Sequence, residues 1–263
     1  MRQLKLKSYM RIFVSCTSQK HGEIKADISK IKGDSLEEIF KQWKIQTQGG
    51  LHSRDVYKGT QWNLIKQLNK TIPTNVISAG YGIINLDEPI VPYTITFSSA
   101  YPDNKHLLIP KFNLTQKEAN KKWFNMFGGF DTKWNVDEVC IFTINPIYLG
   151  VLDLPKQDNI IVLNDYKLGR LAKWLGTGAN NLNVVFTQYL INNYPNITGN
   201  KELEVIVNDL DKKYGQDLYK KRKKATDEFI KERIKLGSTI KKLRDDGYGC
   251  ANQRFRNIKS SIV

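Results

Sequence analysis

The chain has 263 residues, 40% of them hydrophobic and 11% aromatic, with 41 Lys and Arg against 26 Asp and Glu for a formal net charge of +15. That apolar content supports a sizeable core and excludes a disordered chain, while runs such as residues 12–14 and 159–163 fall far short of the roughly 20 residues a bilayer span needs. The N-terminus carries no long apolar segment, and Cys16, Cys140 and Cys250 are odd in number and widely spaced, so the expectation is a cytoplasmic protein without a membrane partner.

In chain order, residues 10–16 (MRIFVSC) form a compact apolar run that predicts a buried strand ending in the polar loop TSQKHG. Residues 34–43 open on Asp34, place acids in the first turn and space Leu36, Ile39, Phe40 and Trp43 along one face, a short helix. A second helix is expected over residues 61–68, then a strand over 75–78 running into the Gly80-Tyr81-Gly82 turn and a loop through Pro89 and Pro92. Thr115 followed by Glu118 is a capping-box pattern for a helix that stops at Gly128-Gly129. Residues 138–144 and 159–163 read as core strands. Beyond Asp165 the pattern is helical over 166–174, 180–193, 202–213, 216–236 and 238–244. Strands alternating with helices and then helices alone predict an α/β class, a mixed α+β sheet in residues 1–165 with a basic helical subdomain in residues 166–263.

The positive charge is unevenly placed. Residues 1–70 hold 14 basic and 6 acidic side chains, residues 71–210 hold 11 and 13, and residues 211–263 hold 16 and 7. Two basic ends around a nearly neutral middle suggest a groove for a polyanion, since neutralising phosphates releases their counterions. The partner expected is DNA, with RNA as a weaker alternative and no membrane surface, because no basic segment shows an apolar opposite face.

The most specific segment is residues 76–93, VISAGYGIINLDEPIVPY, a strand end followed by glycines, two acids and two prolines. Such a rigid loop lets backbone amides approach a ligand closely. With its Ser78, Gly80, Tyr81 and Pro92-Tyr93 spacing, the strand end at Ser15-Cys16 with Lys20 after it, and Asp55-Val56-Tyr57-Lys58-Gly59, the stretch from 11 to 97 resembles the YaaA-like superfamily of peroxide-stress DNA-binding proteins and related domains of unknown function. The resemblance covers about a third of the chain and implies a mixed α/β fold with a positively charged cleft that binds DNA, associated in relatives with DNA damage or phage defence. In that cleft Ser15, Cys16, Lys20, Tyr57, Ser78, Gly80, Tyr81 and Tyr93 would surround a base, and Asp87 or Glu88 would stabilise developing positive charge or orient water.

Residues 175–182 (LGTGANNL) resemble a helix-hairpin-helix turn, which offers backbone N–H groups to a DNA phosphate; Lys173, Gly176, Thr177, Gly178 and Asn180 are its candidate contacts. Many DNA glycosylases with this hairpin carry a catalytic Asp about twenty residues further on, where this chain reads Tyr194-Pro195-Asn196-Ile197. The run YKKRKK at 219–224 adds Lys221, Arg222, Lys223 and Lys224 as phosphate contacts. His21, His52 and His106 form no metal-binding pair, no cysteines stand at metal spacing and no phosphate-loop motif occurs, so neither metal nor cofactor is expected. The resulting expectation is a metal-independent DNA N-glycosylase acting on a flipped base, modified or unmodified, with a non-catalytic DNA-binding protein as the alternative.

Overall fold

The computed structural model describes residues 10–97, 112–130, 138–215, 223–250 and 252–262. The chain divides into two compact units, Met1–Gly215 and Gln216–Val263, so residue 165 lies inside the first. In chain order the first unit holds β1 (Met10–Ser15), α1 (Leu36–Gln46), β2 (Leu51–His52), α2 (Ser53–Val56), α3 (Thr60–Asn69), β3 (Thr74–Ser78), β4 (Gly82–Asn85) and β5 (Pro89–Ile90). It continues with α4 (Gln116–Asn125), β6 (Val139–Thr143), α5 (Pro146–Leu149), β7 (Ile160–Val162), α6 (Leu182–Asn193) and α7 (Asn200–Tyr214).

A five-stranded sheet in the order β4-β3-β1-β6-β7 is the centre of this unit, parallel throughout except for β4, which runs antiparallel to β3. The class is therefore α/β, with helices dominating after the last sheet strand. Because β1 and β6 are covered on both faces, their sequences are continuous apolar runs instead of alternating ones. Phe13 and Phe142 are register partners whose rings stack at 4.6 Å, and Phe130 meets both edge-on or tilted at 5.5 Å. The core extends through buried residues of α3 and α6, which pack on each other and on β3 and β6 respectively.

Local chemistry accounts for the flanking helices. Ser35, one residue after the expected Asp34, caps α1 by accepting from the Glu38 amide, and Leu36, Ile39 and Trp43 turn inward. Thr115 and Glu118 form the reciprocal capping box of α4. The Trp43 and Trp123 rings meet at 5.9 Å, and their Nε1–H groups donate to consecutive carbonyls, Gly80 and Ala79, each at 2.7 Å. Two buried indoles thus fix the path of the chain as it leaves β3.

Several expectations are corrected. Residues 82–85 form an edge strand where a loop was expected, because Gly82 adopts φ +73° and turns the chain back so that Ile83 and Ile84 pair with β3. Residues 166–174 hold only the four-residue 3-10 turn Leu168–Leu171, not a helix. That segment ends at Gly176, φ +64°, where Thr177 N–H donates to Ala172 and Gly176 N–H to Lys173, a Schellman closure. The helix expected over 216–236 begins only at Asp227, since Thr226 caps it afresh by accepting from the Phe229 amide; residues 216–222 lie outside the described part.

The second unit pairs β8 (Lys223–Lys224) in parallel with β9 (Tyr248–Gly249) and adds α8 (Asp227–Lys235), α9 (Ile240–Asp245) and α10 (Asn252–Ser260). Its own small core comprises Ala225, Ile230, Leu243, Cys250, Phe255 and Ile258. Among the described residues no helix is long and apolar enough to cross a membrane.

Candidate active-site cleft

In the sheet, the connection from β1 leads to β3 on one side and that from β6 to β7 on the other. The carboxyl ends of β1 and β6 therefore flank a topological switch point, where open α/β sheets form their ligand crevice. A two-lobed cleft lies there. The larger lobe, 670 Å³, is bounded by residues 15–19 after β1, by 143–146 and Tyr148 after β6, and by the starts of α3 and α6. The smaller, 330 Å³, adds Lys20, Ile24 and Tyr93–Thr96, and the lobes share Cys16, Thr17, Ser18, Gln19, Thr96 and Tyr148. No Asp or Glu lines either lobe among the described residues.

Behind the smaller lobe is a closed ring of hydroxyls. Tyr57 donates to Ser78 Oγ at 3.1 Å, the Ser78 and Tyr93 hydroxyls stand 2.8 Å apart, and those of Tyr93 and Tyr57 2.7 Å apart. With Tyr57 donating to Ser78, the remaining protons run from Ser78 to Tyr93 and from Tyr93 to Tyr57, so each hydroxyl gives and receives once. Ser78 Oγ also accepts the Gly80 amide at 3.2 Å. Burial pushes both phenols well above the usual tyrosine value, with the nearby Cys16 and further tyrosine hydroxyls adding to the rise. Both stay neutral, and the ring braces the cleft wall without supplying a base. Gly80 is required by contact with it, since a Cβ there would stand 2.8 Å from Tyr93 Cε2.

Lys20 crosses this wall. Its backbone bridges to Tyr57, its amine donates to the Thr17 carbonyl at 3.2 Å, and it lies 4.0 Å from the Tyr93 ring centroid. Desolvation brings the amine down to about 8, opposed by Cys16. Next to it Cys16 Sγ and the Tyr148 hydroxyl are 3.2 Å apart, with Thr96 Oγ1 3.4 Å from that hydroxyl. Burial likewise holds the Tyr148 phenol well above its ordinary range, with Cys16 contributing. Ser15 turns its hydroxyl to the Asn145 amide at 2.7 Å, tying the ends of β1 and β6 together.

The structure thus gathers Ser15, Cys16, Lys20, Tyr57, Ser78, Gly80 and Tyr93 around one cleft. Tyr81 stands behind them, its ring 5.4 Å from Tyr93 and its hydroxyl accepting from the Val91 amide at 2.8 Å. Asp87 and Glu88 are elsewhere, in the turn between β4 and β5. Asp87 is exposed and pairs with Arg54 at 2.5 Å, while Glu88 accepts from Asn85 Nδ2 at 3.0 Å. Neither lines the cleft.

Of the hairpin residues, Lys173 is exposed, and the Gly176 and Thr177 amides are committed to the Schellman closure. Asn180 lines the larger lobe, and its carbonyl accepts from Gln61 Nε2 at 3.1 Å. Lys221 and Arg222 lie outside the described residues, and Lys223 and Lys224 form β8. In the second unit Lys231, Lys235, Lys241, Lys242, Arg256 and Lys259 are exposed and form no ion pair among the described residues. The sequence reading missed Thr96, Thr143, Asn145 and Tyr148. Asn145-Pro146 directly after an apolar strand, an N-cap followed by Pro at the first helical position, was the available signal for the last two.

A wider hollow of 1140 Å³ lies along α7, but its polar groups answer one another: Arg170 Nε donates to Asp211 at 2.7 Å and Asn200 Nδ2 to the Asp158 carbonyl at 3.0 Å. No group of three His, Cys, Asp or Glu side chains suited to a metal ion occurs among the described residues. No protein-family model, curated protein or solved structure matches the chain.

Proposed function

We propose that the protein is a DNA-binding N-glycosylase that receives an extruded nucleotide in the strand-end cleft and cleaves its glycosidic bond with Lys20 as nucleophile. The observation that carries this reading is the Lys20 amine, lowered to about 8 and facing a cleft without lining carboxylates. A lysine near neutrality is an effective nucleophile because an appreciable fraction is unprotonated. The carboxylates Asp87 and Glu88, expected to stabilise developing positive charge or orient water, are held in the β4–β5 turn away from the cleft, which leaves the amine as the nucleophile.

In this scheme the neutral amine attacks C1′, the C1′–N bond breaks, and its electron pair leaves with the base, which takes the proton given up by the ammonium. Opening of the sugar ring, with the Nζ electron pair displacing O4′ from C1′ and O4′ taking the remaining Nζ proton, leaves an imine between Nζ and C1′. Water then releases the abasic sugar and restores the amine. Cys16, Thr96 and Tyr148 are placed to hydrogen-bond the base or sugar.

The resemblance of residues 11–97 to the YaaA-like superfamily, the net charge of +15 and the exposed cations of the second unit support DNA as the partner. Those same cations favour the second reading, a DNA-binding protein without catalysis. The two are separated by incubating wild type and Lys20→Gln with unmodified and base-modified duplexes and probing for abasic sites. Abasic sites from the wild type alone, with equal DNA binding by both, support the enzyme; none on any substrate leaves only the binding protein.

A further inference from the structure

We propose that the larger lobe of the cleft is a phosphate subsite, formed by the starts of α3 and α6 together with the Thr143 hydroxyl and Lys58. The inference stands on this geometry and does not depend on the glycosylase reading.

Both helices begin without a side-chain cap: α3 follows Gly59, which has no side chain to offer, and α6 follows Asn181, whose side chain accepts nothing from the first turn. Amides of the first helical turn lack intrahelical partners and carry the positive end of the helix dipole. At α3 the Thr60 and Gln61 N–H groups, and at α6 the Asn183 N–H, have no acceptor among the described residues, and all three residues line the lobe. Two uncapped helix starts facing one hollow are an anion site in waiting, since each offers backbone donors and a favourable field.

The independent observation is Thr143. It ends β6, lines the same lobe and is 3% exposed, yet its Oγ1 has no hydrogen-bond partner among the described residues. A buried hydroxyl left without a partner is costly, and a ligand oxygen in the lobe would satisfy it. The charge agrees, because Lys58 is the sole charged residue lining this lobe among those described and forms no ion pair among them. Acidic ligands are therefore attracted without a competing carboxylate.

A phosphate group can arrive as a free nucleotide or as part of a DNA chain, and the lobe shares Cys16 and Tyr148 with its neighbour, so a sugar and base can extend from it. Calorimetric titration of the full chain should use inorganic phosphate, a deoxynucleoside 5′-monophosphate and a short single-stranded oligonucleotide as separate arms. Saturable binding of phosphate is expected, and the tighter of the other two identifies the source. Asn181→Asp places a carboxylate where the helix dipole favours it, so the variant should fold at least as stably while losing phosphate at least about tenfold. Thr143→Val should melt higher than the wild type without ligand and bind phosphate about tenfold more weakly. Saturable phosphate binding by a wild type that forms no abasic sites would keep this subsite and remove the glycosylase, whereas abasic sites without phosphate binding would do the reverse. Absence of saturable binding in every arm, or binding indifferent to both Asn181→Asp and Thr143→Val, would overturn the proposal.

Discussion

Replacing Lys20 by Met keeps an unbranched side chain of similar length and removes the charge. Folding moves the amine from 10.5 to about 8. Each pKa unit corresponds to about 1.4 kcal/mol, so the ammonium costs the fold at most about 3.5 kcal/mol at pH below 8. Side-chain relaxation and the contact with the Tyr93 ring at 4.0 Å bring the expected cost to about 1–2 kcal/mol. The sign follows from proton binding. Between pH 8 and 10.5 the unfolded chain keeps the Lys20 proton and the folded chain does not, so the wild type gains stability relative to Lys20→Met as pH rises through that window. Below it the penalty is fully present. Urea denaturation of both proteins at pH 7 and at about pH 10 should show the variant more stable by about 1–2 kcal/mol at pH 7 and the gap largely closed at the higher pH. A variant less stable than wild type at pH 7, or a gap that does not change with pH, would refute the assignment of a depressed amine.

Tyr93→Phe opens the hydroxyl ring and leaves Ser78 without its acceptor, and chemical denaturation should show a loss of about 1–3 kcal/mol. Thr115→Ala breaks the capping box of α4 and should cost about 1 kcal/mol in the same assay. If Lys20 must be neutral to react, single-turnover base release should rise about tenfold per pH unit below 8 and level off above it; a flat profile would remove the amine from the rate. The double variant Lys231→Glu, Lys235→Glu should weaken DNA binding and flatten its salt dependence by about two units of the log–log slope; an unchanged slope would take α8 out of the phosphate contacts.

The buried parallel strands were readable because burial on both faces leaves uninterrupted apolar runs: residues 10–16, 138–144 and 159–163 each contain a strand. The capping box at Thr115 was equally plain, since it depends only on neighbours in sequence. What escaped was set by distant residues. The glycines around Tyr81 signal a turn, and nothing local says that Ile83 and Ile84 return to pair with β3. Residues 166–174 have helical spacing, but the Tyr166 hydroxyl bonds Asn200 and the segment closes at Gly176. Residues 182–214 look like an appendage in sequence, yet α6 packs on α3 and β6, inside the first unit.

The cleft shows the same division. Ser15, Ser78 and Tyr93 stood out because each adjoins a strand end or a Gly- and Pro-rich loop. Thr143 and Tyr148 did not, because their importance comes from β6 lying beside β1, a neighbourhood formed by residues more than a hundred positions apart. Asp87 and Glu88 drew attention as adjacent acids beside the glycines, whereas the β4–β5 turn directs them to Arg54 and Asn85.

Borohydride trapping tests the central claim most directly, since it reduces an imine between Lys20 and C1′ to a stable amine. Wild-type protein incubated with its DNA substrate and borohydride should give a covalent adduct that is absent from Lys20→Gln, although that variant still binds the DNA. Base release without a trappable adduct, or an adduct that persists in Lys20→Gln, would contradict the account.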